Sequence, residues 1–153
     1  MADVDELHFV VEGDPVGKGR PRFTRSGHVF TPQKTRSYES RVGVACRSAM
    51  AVASVLGPFD GAVEMRVTAF FPIPKSATKA KRASALQGLI RPSKPDIDNV
   101  GKAILDGCNG IAYKDDAQVQ ELHVEKLYDE RPRVEVSIRP LQLVGVGFHR
   151  RKG

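Results

Sequence analysis

The sequence predicts an α+β domain, and three observations predict it. Apolar residues alternate with polar ones along Val63, Met65, Val67, Ala69 and Phe71, the period of a strand with one face buried. Tyr38, Val42, Ala45, Cys46, Ala49 and Val52 or Ala53 instead recur at near-helical spacing. The chain has 153 residues, which suits one domain with a core of its own.

Taken in order, Leu7 to Val11 is an apolar, β-branched and aromatic run that predicts a first strand ending near Glu12. Gly17 to Arg25 then places Lys18, Arg20, Arg22 and Arg25 among glycines and a proline. It turns at Ser26-Gly27 toward His28-Val29-Phe30, as a mobile basic loop or hairpin would. Thr31 or Thr35 can open a helix over 37–55, which Gly57-Pro58 stops. The strand at 63–71 ends at Pro72-Ile73-Pro74. Beyond it, 75–87 is compatible with a peripheral helix whose apolar stripe, Ala80, Ala83 and Leu86, is weak. Near the C-terminus, Leu122, Val124 and Lys126 alternate with His123 and Glu125, and Val134, Val136 and Ile138 alternate with Glu135 and Ser137. Joined across 129–132, they predict an antiparallel pair. The expected domain runs over 1–144, followed by a basic, frayed tail at 145–153.

The formal net charge is +6, although the centre of the chain is dense in acids, so the positive charge is concentrated elsewhere and suits a polyanionic partner. Cys46 and Cys108 form no C-x-x-C, and no charged segment with a long apolar run opens the chain, which suggests a reducing cytoplasm. No apolar run approaches the roughly twenty residues of a membrane span. Gly17-Lys18-Gly19 is not a phosphate-binding loop for ATP: Gly13 is one residue too close, and no Ser or Thr follows the lysine. The histidines and cysteines lack zinc spacing, and His8 and His123 read as ordinary strand residues.

The centre runs from Lys94 to Val119. Pro95 favours extended geometry before it, so Asp96-Ile97-Asp98 reads as a short extended piece with both carboxylates on one side and Ile97 toward the core. Asp98 can cap a helix from Asn99 to the turn at Asn109-Gly110, with Val100, Ala103, Ile104 and Gly107 on its apolar face and Lys102 one turn after Asp98. A second acidic pair, Asp115-Asp116, precedes a strand expected to begin at Ala117. Four carboxylates are thus expected to converge. Two unit charges at 4 Å repel by roughly 4 kcal/mol at an effective dielectric near 20, and a hard divalent cation such as magnesium would offset that. Such an ion can polarise a phosphate and lower the pKa of an attacking water. Asp106, late in the helix, opposes the helix dipole unless it has a partner or a task.

The order Asp-x-Asp-Asn, Lys four residues after the second Asp, Asp four beyond that, then Asp-Asp-Ala-Gln-Val resembles the signature of RusA-type Holliday junction resolvases. Residues 17–39, with Gly-Lys-Gly-Arg-Pro-Arg-Phe and Thr-Pro-x-x-Thr-x-x-Tyr-Glu, resemble the phage-borne branch of that family. The likeness spans about Asp14 to Val119. It implies a mixed sheet of about four strands with helices mainly on one face. It also implies a magnesium-dependent hydrolase of recombination and repair, with manganese as a substitute metal, which resolves four-way DNA junctions by paired symmetric nicks. Asp96, Asp98 and Asp116 become the expected ligands and catalytic acids with Asp115 secondary, and Lys102 the expected contact to the phosphate. Lys18, Arg20, Arg22 and Arg25 are the expected DNA-binding cations, since arginines beside amides freed by glycine suit phosphate. The near two-fold symmetry of a junction makes a homodimer the expected unit, with Phe23 and Phe30 as candidates for its packing. Two rival readings are a nuclease for other branched DNA and a non-catalytic DNA-binding module with a structural ion.

Overall fold

A computed structural model describes residues 6–141, so the expected tail at 145–153 lies outside the described residues. Four strands, β1 (Leu7–Glu12), β4 (Val63–Pro72), β5 (Val119–Asp129) and β6 (Arg133–Pro140), form one sheet in the order β1-β6-β4-β5. Both pairings of β6 are antiparallel and the β4–β5 pairing is parallel, so the sheet is mixed. Helices α1 (Gln33–Val52) and α3 (Ile97–Cys108) cover one face, while α2 (Lys79–Leu86) lies beyond the β5 edge. Strands β2 (Arg22–Phe23) and β3 (Val29–Phe30) form a separate two-stranded ribbon. The α+β class, the four-stranded mixed sheet and the one-sided helices agree with the sequence reading.

Period-two alternation builds the core. Leu7, Phe9 and Val11 of β1, Met65, Val67 and Ala69 of β4, and Val134, Val136 and Ile138 of β6 all point at the helices and are buried. Tyr38, Val42 and Cys46 of α1 and Val100, Ala103, Ile104 and Cys108 of α3 close over them. The two helices touch at Gly107, where a Cβ would come within 2.7 Å of the Val42 side chain, so only glycine allows this approach.

Four local expectations are corrected. The C-terminal strands are not hydrogen-bonded neighbours: β4, ten residues long with a fully buried inner face, lies between them, and 130–132 step across it. Helix α1 begins four residues early, at Gln33 directly after Pro32, and its end leaves Val52 87% exposed. Asp96, not Asp98, is the N-cap of α3, so Ile97 lies in the first helical turn and is 47% exposed rather than turned to the core. Finally, Asp116–Gln118 is a 3-10 turn, and β5 starts only at Val119.

Candidate acidic site and nucleic-acid interface

Asp96 has extended backbone at the N-cap of α3, with no side-chain capping bond, and its carboxylate lies 3.3 Å from Lys94 Nζ. Asp98, in the first turn, accepts the Asn99 N–H at 2.9 Å. Both acids are exposed and lie at the positive end of the helix dipole, where negative charge is favoured. Lys102 rises exposed one turn beyond Asp98. The segment leading into Asp96 is pinned by Lys126, whose ammonium donates to the carbonyls of Ser93 (2.9 Å) and Pro95 (2.8 Å).

The basic N-terminal segment docks on this helix. Lys18 N–H donates to Asn99 O at 2.9 Å, and a Cβ on Gly17 would come within 2.7 Å of Pro95, so the approach requires glycine. Lys18 Nζ is held by Glu39 Oε2 at 2.7 Å and Asp106 Oδ2 at 3.0 Å. Asp106 therefore has a partner. Gly19 N–H donates to Thr35 Oγ1 at 3.0 Å, so Thr35, expected as a helix opener, instead moors the segment from inside α1. A groove of about 960 Å³ results, lined by Arg20, Arg22, Lys34 and Lys94 together with Asp96 and Asn99. Arg20, Arg22 and Arg25 are exposed, whereas the Lys18 side chain is 17% exposed and already paired with acids.

Asp115 and Asp116 have different occupations. The Asp115 carboxylate accepts the Ala117 N–H at 3.1 Å, and Gln118 Oε1 accepts the backbone N–H of Asp115 in return, a reciprocal cap of the 3-10 turn. Among the described residues Asp116 has neither an ion pair nor a side-chain hydrogen bond, and it is exposed. Tyr113, just before the pair, is buried and donates to Leu105 O at 2.8 Å, near the C-terminal end of α3. Burial, with Cys108 and Asp116 nearby, pushes its hydroxyl pKa well up. Asp116 thus lies toward the opposite end of α3 from Asp96 and Asp98. Asp96, Asp98 and Asp116 do not form a group with ligand atoms all within 4.8 Å of one another in this structure.

The three-ligand group that does form among the described residues is Glu64, Glu121 and His123, with ligand atoms within 4.8 Å of one another on the sheet face away from the helices. It offers a candidate site for a divalent cation. Glu64 is 2% exposed and already paired with Arg139, Arg66 (3.0 Å) and His123 (3.2 Å). Sequence reading missed Glu64, because alternation assigns it to the solvent side of β4. The signal lay in register: Arg139 stands directly opposite it on β6 and Glu121 beside it on β5.

A sequence profile of the family described as Endodeoxyribonuclease RusA matches residues 12–139. The chain belongs to the RusA family. It is also 41% identical over 142 residues to the uncharacterized protein YqaN of Bacillus subtilis (strain 168), covering 89% of this chain and 97% of that one. RusA-family membership implies endodeoxyribonuclease activity on branched DNA junctions. The RusA match includes the basic segment, α3 with its acids, and β4 to β6. Oxygen donors such as Asp96 and Asp98 fit magnesium, which is commonly held by one or two carboxylates while keeping waters and substrate phosphates in its shell. Among the described residues no helix is long and apolar enough to cross a membrane.

Proposed function

We propose that this chain is a magnesium-dependent, structure-selective endonuclease that resolves four-way DNA junctions by paired symmetric nicks, working as a homodimer. The observation that supports this most directly is the docking of a basic segment on an acidic helix. Lys18 bonds Asn99 and pairs with Asp106, so that Arg20 and Arg22 share a groove with Asp96.

In this reading Arg20, Arg22 and Arg25 take the DNA backbone, and Lys18 positions the segment that carries them. Asp96 and Asp98 would hold the cation. When bound, the ion polarises the scissile phosphate and lowers the pKa of an attacking water. Lys102, on the face that follows Asp98, meets the charge that grows on the phosphate. Asp116 would be the third acid, its carboxylate not committed as that of Asp115 is. One chain supplies one set of acids and a junction requires two symmetric cuts, so two chains are needed. The test compares cleavage of a synthetic four-way junction, a flap and plain duplex with magnesium present. Paired nicks confined to the junction support the reading; preferred cutting of flaps, or no cutting of any substrate, overturns it.

A further inference from the structure

The β2–β3 ribbon has a composition and an exposure that folding does not explain. Every residue from Arg20 to Phe30 is exposed, including Phe23 at 71%, Val29 at 59% and Phe30 at 45%. Neither aromatic ring is buried by the hairpin. Neither strand pairs with the main sheet. Arg22 stands opposite Phe30, and Phe23 opposite Val29. Cross-strand partners share a face and neighbours alternate, so each face of the ribbon carries one ring.

The ribbon is nevertheless held in shape and in place. Thr24 and His28 close its turn, with Thr24 N–H donating to His28 O at 2.8 Å and Gly27 N–H to Thr24 O at 3.0 Å; Gly27 has a φ of 89°, which favours glycine. Its root is moored by the bonds of Lys18 to Asn99 and of Gly19 to Thr35, beside the groove that holds Asp96. Two rings are thus presented to solvent on a ribbon whose root adjoins the groove that holds Asp96.

Charge selects the partner. From Pro15 to Tyr38 the chain carries Lys18, Arg20, Arg22, Arg25, Lys34 and Arg36 and no acidic residue. A second copy meeting this ribbon with its own would oppose like charges, whereas DNA supplies phosphates for the arginines and π faces for the rings. In continuous duplex those faces are stacked away; at a branch point stacking is interrupted, and unstacking there costs least. We infer that the ribbon is a base-stacking element, placing Phe23 and Phe30 against bases exposed at the branch point while its arginines hold the flanking phosphates. The inference rests on branched DNA as the substrate.

The test places 2-aminopurine either at the branch point or in mid-arm of a four-way junction and follows its fluorescence on binding without metal. Wild-type protein should change the branch-point signal only. Phe23→Ala and Phe30→Ala should each weaken junction binding about tenfold, the scale of one lost aromatic stack, and the double variant should abolish the signal. Binding to unbranched duplex should be unchanged in all three, and Phe23→Trp and Phe30→Trp should keep the signal. An unaltered signal in the double variant overturns the inference, as does an equal loss on plain duplex. So does a double variant that sediments as a monomer where wild type is a dimer, for the ribbon is then a subunit contact. Should wild type give the fluorescence change yet cut no junction with magnesium, the nuclease reading fails while the ribbon's role stands.

Discussion

Lys18 Nζ lies 3.0 Å from Asp106 Oδ2, an ion pair that fastens the basic N-terminal segment to the acidic helix. It accounts for an acid late in α3, where the helix dipole disfavours one. Burial by itself lowers the Lys18 pKa, but hydrogen bonds to Glu39 and Asp106 outweigh it and raise the value above its ordinary 10.5.

Lys18→Met should therefore lower stability by about 2 kcal/mol, as removal of a charged hydrogen-bond partner does. Because the folded pKa is the higher one, the stabilisation is fully present below the unfolded value of 10.5 and is lost as pH rises through the folded value. Thermal melts across that range check this. Salt titration of duplex binding separates Lys18 from its neighbours. Arg20→Ala or Arg22→Ala should reduce the slope of log K against log salt by about one, and Lys18→Met should leave it unchanged. A reduced slope for Lys18→Met would return that residue to direct phosphate contact.

Asp115 and Asp116 should separate in the same way. Asp115→Asn keeps a good cap and should nick junctions nearly as well as wild type, while Asp115→Ala should lower stability by about 1 kcal/mol. Asp116→Asn should abolish nicking with an unchanged melting temperature. Equal loss of nicking in Asp115→Asn and Asp116→Asn would show that the roles are assigned wrongly.

Glu64 gives a prediction at acid pH. Burial raises its pKa, but the hydrogen bond and charge of Arg139, with Arg66 and His123, more than offset this and hold it below the ordinary 4.5. A depressed folded pKa stabilises above the unfolded value and loses that contribution as pH falls through the folded one. Glu64→Gln should accordingly be less stable than wild type by about 1–3 kcal/mol at neutral pH, with the gap closing below about pH 4. A divalent cation that raises the wild-type melting temperature but not that of Glu64→Gln would instead make Glu64, Glu121 and His123 a metal site.

Much of the architecture was legible because it is local. An apolar, β-branched run located β1, alternation located β4 and the inner faces of β5 and β6, and the Val100, Ala103, Ile104 stripe located α3. Strand order was not, since no local pattern says that β4 inserts between β5 and β6; that depends on which long apolar strand can be buried on both edges. Sequence spacing marked the acids at 96, 98, 115 and 116, and the resemblance chose Asp96, Asp98 and Asp116 among them, but neither says how far apart their carboxylates lie. The partners of Lys18 were not legible for a related reason. A cation in a glycine-rich run reads as free until Glu39 and Asp106 are seen beside it.

The central claim is that acids at the N-terminus of α3 serve metal-dependent cleavage of branched DNA. The most direct measurement is single-turnover nicking of a synthetic four-way junction by wild type, Asp96→Asn, Asp98→Asn and the double variant, with and without magnesium. Asp96 makes no side-chain capping bond and is exposed, so the fold should persist with Asn in its place. Each single variant should lose at least about a hundredfold in nicking rate, as expected when a metal ligand is removed. Junction binding should be intact or tighter, because repulsion of the phosphate is relieved, and wild type should be inactive in chelator. Nicking by the double variant at the wild-type rate, or by wild type in chelator, would contradict the account.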